Sequence, residues 1–349
     1  MTQQEACRYG VRKRNSRKRG NENLKVVRDF VRPDSGRPTS IALGLFDGVH
    51  IGHREVLGKA LQNRELCPCV FTYTISDSVP HIKKMYMTLT SDEQKCSILE
   101  RMGFELVVMP DFEIFKDLEP EEFVEEMLIR RMGAKELSCG YDFTFGKMGK
   151  GNTAELERIA AKHGVKVNIV SPISLDGEAV SSTRIRQAIL EGQMDRASRM
   201  LGRRFSIRLR VEHGNQIGRL MDFPTINQVF PRYHIVPRYG VYSTVVNIDG
   251  KLYGGVTNVG VKPTVGSDGP LAETYIIDFQ GDLYGKTVEV YFFRFVRPET
   301  KFASIDQLKA QIARDKESVT QEVAANIEQM LFHDGHPEDI RGEEPHEKI

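Results

Sequence analysis

Between about residue 25 and residue 200, short apolar runs alternate with stretches of helical periodicity. Ile41–Leu45, Val70–Tyr73, Leu106–Met109, Leu137–Cys139 and Val165–Val170 read as strands. They are short, apolar and separated by polar segments. Between them, Arg54–Asn63, Ser91–Met102, Pro120–Arg131 and Ala154–His163 read as helices. Ser91, followed three residues later by Gln94, is a capping box, in which each side chain satisfies the other's backbone N–H. Strand–helix alternation predicts a parallel sheet covered by helices, with ligands bound beyond the carboxyl ends of the strands.

After Leu201-Gly202-Arg203 the pattern changes. Phe205–Val211, Gly240–Ile248, Lys251–Thr257, Thr274–Phe279 and Thr287–Phe293 are β-rich. Asp249-Gly250, Gly266-Ser267-Asp268-Gly269 and Gly281-Asp282 supply turns. Closely spaced strands with such turns predict an antiparallel barrel. Ile305, Leu308, Ile312, Val319, Val323, Ile327 and Leu331 then recur at helical spacing, which predicts a terminal helix or helix pair packed on the barrel. The expected division is a basic extension at 1–23, an α/β domain at 24–202, a barrel domain at 203–333 and a polar tail at 334–349.

Bulk properties narrow the class. The chain has 349 residues, 40% hydrophobic and 28% charged, enough for more than one core. A net charge of +1 gives no global field toward nucleic acid or membrane. No apolar run approaches the roughly 20 residues that span a bilayer, and the start has no apolar signal-peptide core. Five scattered cysteines read as reduced thiols, hence a cytoplasmic protein. Cys67-Pro68-Cys69 lacks a second ligand pair for a metal and reads as buried thiols. Arg8, Arg12, Lys13, Arg14, Arg17, Lys18 and Arg19 crowd the first residues. No apolar face accompanies them, which favours a disordered extension over a nucleic-acid arm or an organelle-targeting segment.

The candidate chemistry starts at Gly44-Leu45-Phe46-Asp47-Gly48-Val49-His50-Ile51-Gly52-His53. It lies between a predicted strand and a predicted helix. Glycines let backbone approach a phosphate, and the helix start offers free N–H groups and a positive dipole end. His50 and His53 can point the same way and donate to α-phosphate oxygens that gain charge as a nucleotidyl group transfers. A second phrase, Val180-Ser181-Ser182-Thr183-Arg184-Ile185-Arg186, opens another helix. Its N-cap serine, hydroxyls and guanidiniums together suit a triphosphate.

The pair of phrases resembles the nucleotidyltransferase superfamily, in which a His-x-Gly-His loop and a Ser-Thr-x-Arg helix flank ATP. Class I aminoacyl-tRNA synthetases share the first phrase, and Lys147-Met148-Gly149-Lys150 looks like their lysine loop. The short chain and β-rich second half weigh against that owner. The full phrase, with Gly140-Tyr141-Asp142-Phe143-Thr144-Phe145-Gly146, resembles the bacterial bifunctional riboflavin kinase/FAD synthetase family. That resemblance implies a Rossmann-like N-terminal domain that adenylylates FMN to FAD, and a C-terminal barrel that phosphorylates riboflavin with ATP and Mg²⁺. His50, His53 and Arg184 are then catalytic. Gly44, Phe46, Asp47, Gly48, Gly52, Ser182, Thr183 and Arg186 bind ATP, and Asp142 and Phe143 meet FMN.

In the second half, Gly214-Asn215-Gln216-Ile217-Gly218-Arg219 is a glycine-bracketed loop suited to phosphate. The resemblance places kinase ATP on Gly214, Gly218, Arg219, Pro224, Thr225 and Asn227, with Mg²⁺ on Thr225 and Asn227. It makes Glu273 the base that takes the proton of the riboflavin 5′-hydroxyl. Asn258 to Thr264, Asp282 to Lys286 and Arg297 to Phe302 extend the match. Leu45 stands where the family often has Asn. Phe71-Thr72-Tyr73-Thr74 lacks a His-Pro pair and is assigned no site. Ile226 replaces a small residue and Asp222 a glycine, which leaves open an enzyme with only the adenylyl-transfer activity and a degenerate barrel. The expected ligands are riboflavin, FMN, FAD and ATP, with neither nucleic acid nor membrane. A flavin sensor or nucleic-acid binder using the basic tail is a third alternative.

Overall fold

The computed structural model describes residues 24–74, 87–213, 225–261, 269–300 and 303–326. The N-terminal sheet contains β1 (Lys25–Val27), β2 (Thr39–Leu43), β3 (Cys67–Phe71), β4 (Leu106–Val108), β5 (Ala134–Gly140) and β6 (Lys166–Val170), in the order β1-β4-β3-β2-β5-β6. All its pairings are parallel. Every residue of β2 is buried, as expected of a strand covered on both faces. The order runs outward from β2 in both directions, so the switch point lies between the carboxyl ends of β2 and β5.

Among the described residues, four helices cover this sheet. They are α1 (Ile51–Ala60), α2 (Asp92–Met102), α3 and α4 (Thr153–Lys162). α3 begins at Pro120–Glu122 and continues in wider, five-residue turns over Phe123–Arg131. The Ser91/Gln94 capping box opens α2 as expected, and Gly103 closes it with φ 98°. One face of the sheet packs phenylalanines, with Phe71, Phe115 and Phe123 within 5.9 Å ring to ring. The other face holds Val56 and Leu57 of α1 against Ile98 and Leu99 of α2. Cys67 and Cys69 are buried free thiols, and burial raises the Cys67 thiol to about 11.

A hairpin, β7 (Ser174–Leu175) and β8 (Glu178–Ala179), precedes α5 (Ser182–Leu190) and α6 (Met194–Leu201). The second sheet is antiparallel: β9 (Phe205–Arg210), β10 (Thr225–Val229), β11 (Gly240–Ile248), β12 (Lys251–Val261), β13 (Pro270–Ile276) and β14 (Thr287–Arg297). Its order is β10-β13-β12-β11-β14-β9. The outer strands are drawn together where Glu212 N–H donates to Asn227 O at 2.8 Å. Buried Gln228 on β10 also donates its amide to Leu209 O at 2.8 Å and Val288 O at 2.9 Å. The sheet thus curls toward the expected barrel. Ile185 and Ile189 of α5 and Met200 of α6 join the same core as Phe205, Tyr242 and Phe292. Apolar packing therefore runs continuously across Gly202.

The C-terminal repeat forms one helix, α7 (Ile305–Asn326), among the described residues. Its Val319 and Val323 pack on Val241, Val245 and Phe293. Buried Asp315 anchors it to Arg297 at 2.8 Å. Ile327 and Leu331 lie outside the described residues, as do the basic extension and the polar tail.

Candidate active sites

The loop from β2 to α1 brings both histidines to the carboxyl edge of the sheet. His50 is the N-cap of α1, and its Nδ1 accepts the His53 backbone N–H at 3.2 Å. The two rings stack, centroids 3.5 Å apart and planes at 18°. Phe46 meets His53 edge-on at 5.4 Å. Two glycines permit this packing. A Cβ on Gly44 would lie 3.0 Å from the Phe46 ring, and one on Gly52 would lie 3.3 Å from the His50 ring.

Both imidazoles are held neutral. Burial, then the charges of Arg203 and Arg186, lower the His50 pKa to about 4. Burial, then His50, Lys95 and Arg203, lower that of His53 well below its ordinary value. Because His50 Nδ1 accepts a hydrogen bond, a neutral ring carries its proton on Nε2. His53 keeps part of its surface on the cleft, while its Nδ1 is enclosed with no hydrogen-bond partner among the described residues.

A cleft of about 600 Å³ opens over this pair. Gly44, Phe46, His50, Gly52, His53, Asp142, Phe143 and Ser182 all line it, drawn from three stretches far apart in sequence. Tyr141 and Asp142 follow the end of β5, and Phe143 stacks on Phe145 at 5.7 Å. The cleft thus sits at the switch point between β2 and β5. Phe71 and Tyr73, whose stretch carries no site motif, also line it. Neither Lys147 nor Lys150 does.

Val180 and Ser181 of the second phrase also line the cleft, whereas Thr183, Arg184, Ile185 and Arg186 do not. Ser181 caps α5 by accepting Arg184 N–H at 3.3 Å. Thr183 is exposed in the first turn. Arg184 grips the preceding hairpin, donating to Glu178 O at 2.8 Å and Ala179 O at 2.7 Å and pairing with the Glu178 carboxylate at 2.6 Å. Arg186 pairs with Asp47 and donates to Met87 O at 2.6 Å. Asp47 is buried and accepts Leu89 N–H at 2.8 Å, so its carboxylate is committed within the protein.

Two further residues that hold the histidine loop had no motif. Lys95 is buried on α2, with Nζ 3.2 Å from Leu45 O. Its signal is a lysine in the apolar stripe with Ile98 and Leu99. Arg203, at the junction of the halves, donates to Gly48 O at 2.7 Å. Leu45 contributes its carbonyl, which also accepts from Thr72 Oγ1 at 2.8 Å. A backbone role of this kind tolerates the change from Asn.

In the second half, the strand register assembles the polar face. Asn227 on β10 lies opposite Glu273 on β13, which lies opposite Asn258 on β12. Thr225 lies opposite Tyr275, one pleat away on the same face. All five are half-buried, whereas the alternate residues Gln228, Thr257 and Thr274 are buried. Ile226 belongs to the core-facing set and packs on the central cluster. Its bulk is directed away from Thr225 and Asn227. Gly214, Gly218, Arg219, Asp222 and Pro224 lie outside the described residues.

Comparison with known proteins matches both halves. Residues 32–184 match the FAD synthetase family model and residues 201–323 the riboflavin kinase model. The chain is 32% identical over 284 residues to the bifunctional riboflavin kinase/FMN adenylyltransferase of Listeria monocytogenes, covering 79% of this chain and 90% of the relative. It is 34% identical over 285 residues to that of Haemophilus influenzae, covering 80% and 92%. The chain belongs to the bifunctional riboflavin kinase/FMN adenylyltransferase family. As in that family, the FAD synthetase domain is N-terminal and the kinase domain C-terminal. A crystal structure described as a macrolide-efflux protein from Streptococcus pneumoniae superposes with a TM-score of 0.72 at 32% identity, covering 87% of this chain and 99% of that one. Among the described residues no helix is long and apolar enough to cross a membrane. Helices α5 and α6 lie largely between the two matched regions, where the halves share a core.

Proposed function

We propose that this enzyme makes FAD from riboflavin in two steps, at the two sites described above. The carrying observation is the stacked His50/His53 pair, which shares one cleft with Asp142 and Phe143. FMN lies against Asp142 and Phe143, and the ATP phosphates lie over the start of α1. A neutral His50 donates from Nε2 to an α-phosphate oxygen as FMN phosphate attacks and pyrophosphate leaves. Gly44, Phe46, Gly52 and Ser182 shape the ATP side, and Gly48 and Thr183 lie off the cleft lining. Arg184 exchanges its Glu178 contacts for phosphate, and Arg186 supports the loop through Asp47.

In the kinase half, Glu273 accepts the proton of the riboflavin 5′-hydroxyl as that oxygen attacks the γ-phosphate. Gly214, Gly218, Arg219 and Pro224 complete the ATP loop. Thr225 and Asn227 fit Mg²⁺, since they present hard oxygen atoms on one face beside a carboxylate. When bound, the ion would supply positive charge against the phosphates of ATP. The free, largely buried thiols suit a cytoplasmic enzyme, and a net charge of +1 supports no nucleic-acid partner.

Incubation with riboflavin, ATP and Mg²⁺, followed by chromatography, tests the reading. FMN appears first and FAD after it. Failure of FMN to form, with added FMN still adenylylated, would return the reading to a degenerate kinase. The core-facing Ile226 removes one reason for that alternative.

A further inference from the structure

The histidine loop has a backbone that its sequence does not hold by itself. Phe46 and Val49 adopt φ of 51° and 41°, and Gly48 lies at 81°. Val49 is β-branched and fully buried, so this conformation carries a steric cost and persists only where neighbours enforce it.

Asp47 is where that enforcement converges. Its Oδ1 accepts Leu89 N–H at 2.8 Å and Thr90 N–H at 3.4 Å. Its Oδ2 takes Arg186, and its carbonyl accepts Ser182 Oγ–H at 2.9 Å. The next residue repeats the attachment, with Gly48 N–H donating to Thr90 Oγ1 at 3.3 Å. The loop is therefore tied to the strap at Met87–Thr90, and that strap is also carried by the kinase half. Thr88 N–H donates to Tyr233 O at 2.7 Å, and Ile235 N–H donates to Thr88 O at 2.9 Å. The carboxylate takes three donors from within the protein, and Asp47 is not among the residues that line the cleft.

We propose that Asp47 is a positioning residue for adenylyl transfer, fixing the histidine loop to a strap that the kinase half holds in place. The inference rests on the adenylyl-transfer reading of that loop. Loss of Asp47 lets the strained turn relax and shifts His50 and His53 from the reacting phosphate. Misplacement by about 1 Å costs roughly 100-fold in rate. The loss falls on kcat, because Asp47 itself touches no substrate. An asparagine keeps an acceptor for the Leu89 and Thr90 amides, so it retains more activity than alanine.

The test uses full-length Asp47→Ala and Asp47→Asn, with both reactions measured on each preparation. Asp47→Ala lowers kcat for FAD formation about 100-fold, leaves the KM for ATP and FMN within a few-fold, and leaves riboflavin phosphorylation intact. Asp47→Asn falls between it and the parent. Hydrogen exchange in Asp47→Ala accelerates at the Leu89 and Thr90 amides and at the Ile235 amide across the junction. An unchanged kcat overturns the proposal, as does a raised KM with kcat preserved, or parallel loss of kinase activity. Faster exchange at Leu89 and Thr90 with Ile235 unmoved overturns the tie to the kinase half. His53→Ala separates the two levels. If it retains FAD formation, the site reading fails; if it loses FAD formation while Asp47→Ala does not, only the positioning role fails.

Discussion

At the scale of single residues, the informative feature is that the histidine pair is uncharged. Positive neighbours surround His50, and little of it meets solvent, so a second proton is disfavoured twice over. A neutral imidazole donates one directed hydrogen bond, from Nε2 in His50. The positive charge acting on His50 comes from Arg203 and Arg186. The consequence is visible in a titration. The ring resonance of His50, assigned by its loss in His50→Gln, keeps its neutral position through pH 7 and 6 and moves only toward about 4. A midpoint near 6.5 would mean that the ring is solvated and that the arrangement at α1 is different. Lys95 belongs to the same account, since its ammonium sits beneath Leu45 O and adds positive charge behind His53.

At the scale of elements, two glycines nearby in the chain should respond in opposite directions. Gly48 lies in the strained turn at φ 81°, and a Cβ there would come within 2.7 Å of the buried Leu89 side chain. Gly48→Ala therefore costs about 1–3 kcal/mol, from backbone strain and overpacking. Gly58 lies inside α1, and a Cβ there meets nothing within 4 Å. Gly58→Ala stabilises by about 0.5–1 kcal/mol, since glycine is a poor helix residue. Urea unfolding of both variants reads the two signs. The same distinction explains what the sequence disclosed. Local signals were legible: the Ser91 capping box, and the Asp249-Gly250 turn, whose φ values of 52° and 85° close the β11–β12 hairpin. α1 starts at Ile51 rather than Arg54 because His50 caps it, and periodicity does not register a polar cap. β1 was missed because three residues, two of them exposed, carry no pattern. The Asp47 and Arg203 contacts were hidden because they join residues distant in the chain. Motif spacing brought His50 and Asp142 to one family, but only the sheet order brings them to one cleft.

At the scale of the whole molecule, buried histidines lie on both sides of the junction between the halves. His234 of the kinase half is buried beside the strap, with its Nδ1 donating to Ile235 O at 2.9 Å. Its Nε2 has no hydrogen-bond partner among the described residues. Burial lowers its pKa, outweighing the Ile235 carbonyl and Asp47, which raise it. His50, His53 and His234 therefore all resist protonation in the folded chain while remaining ordinary in the unfolded one. The unfolded state binds more protons below about 6.5, so stability rises with pH through that region. Each histidine's contribution is complete above the unfolded value and is lost as pH falls toward the folded value, which is about 4 for His50. That interval corresponds to roughly 3 kcal/mol for His50, at about 1.4 kcal/mol per pKa unit. Because the three groups lie around one junction, acid should weaken the joint between the halves as well as the cores. Urea midpoints measured from pH 7.5 to 5 fall steadily, and His234→Gln, which removes one of the three protons, flattens the slope. A slope unchanged by that substitution would assign the acid sensitivity to groups elsewhere. Riboflavin phosphorylation and FAD formation followed over the same range give the functional counterpart. FAD formation fails at the higher pH, since the histidine loop takes its shape from a strap that spans the junction.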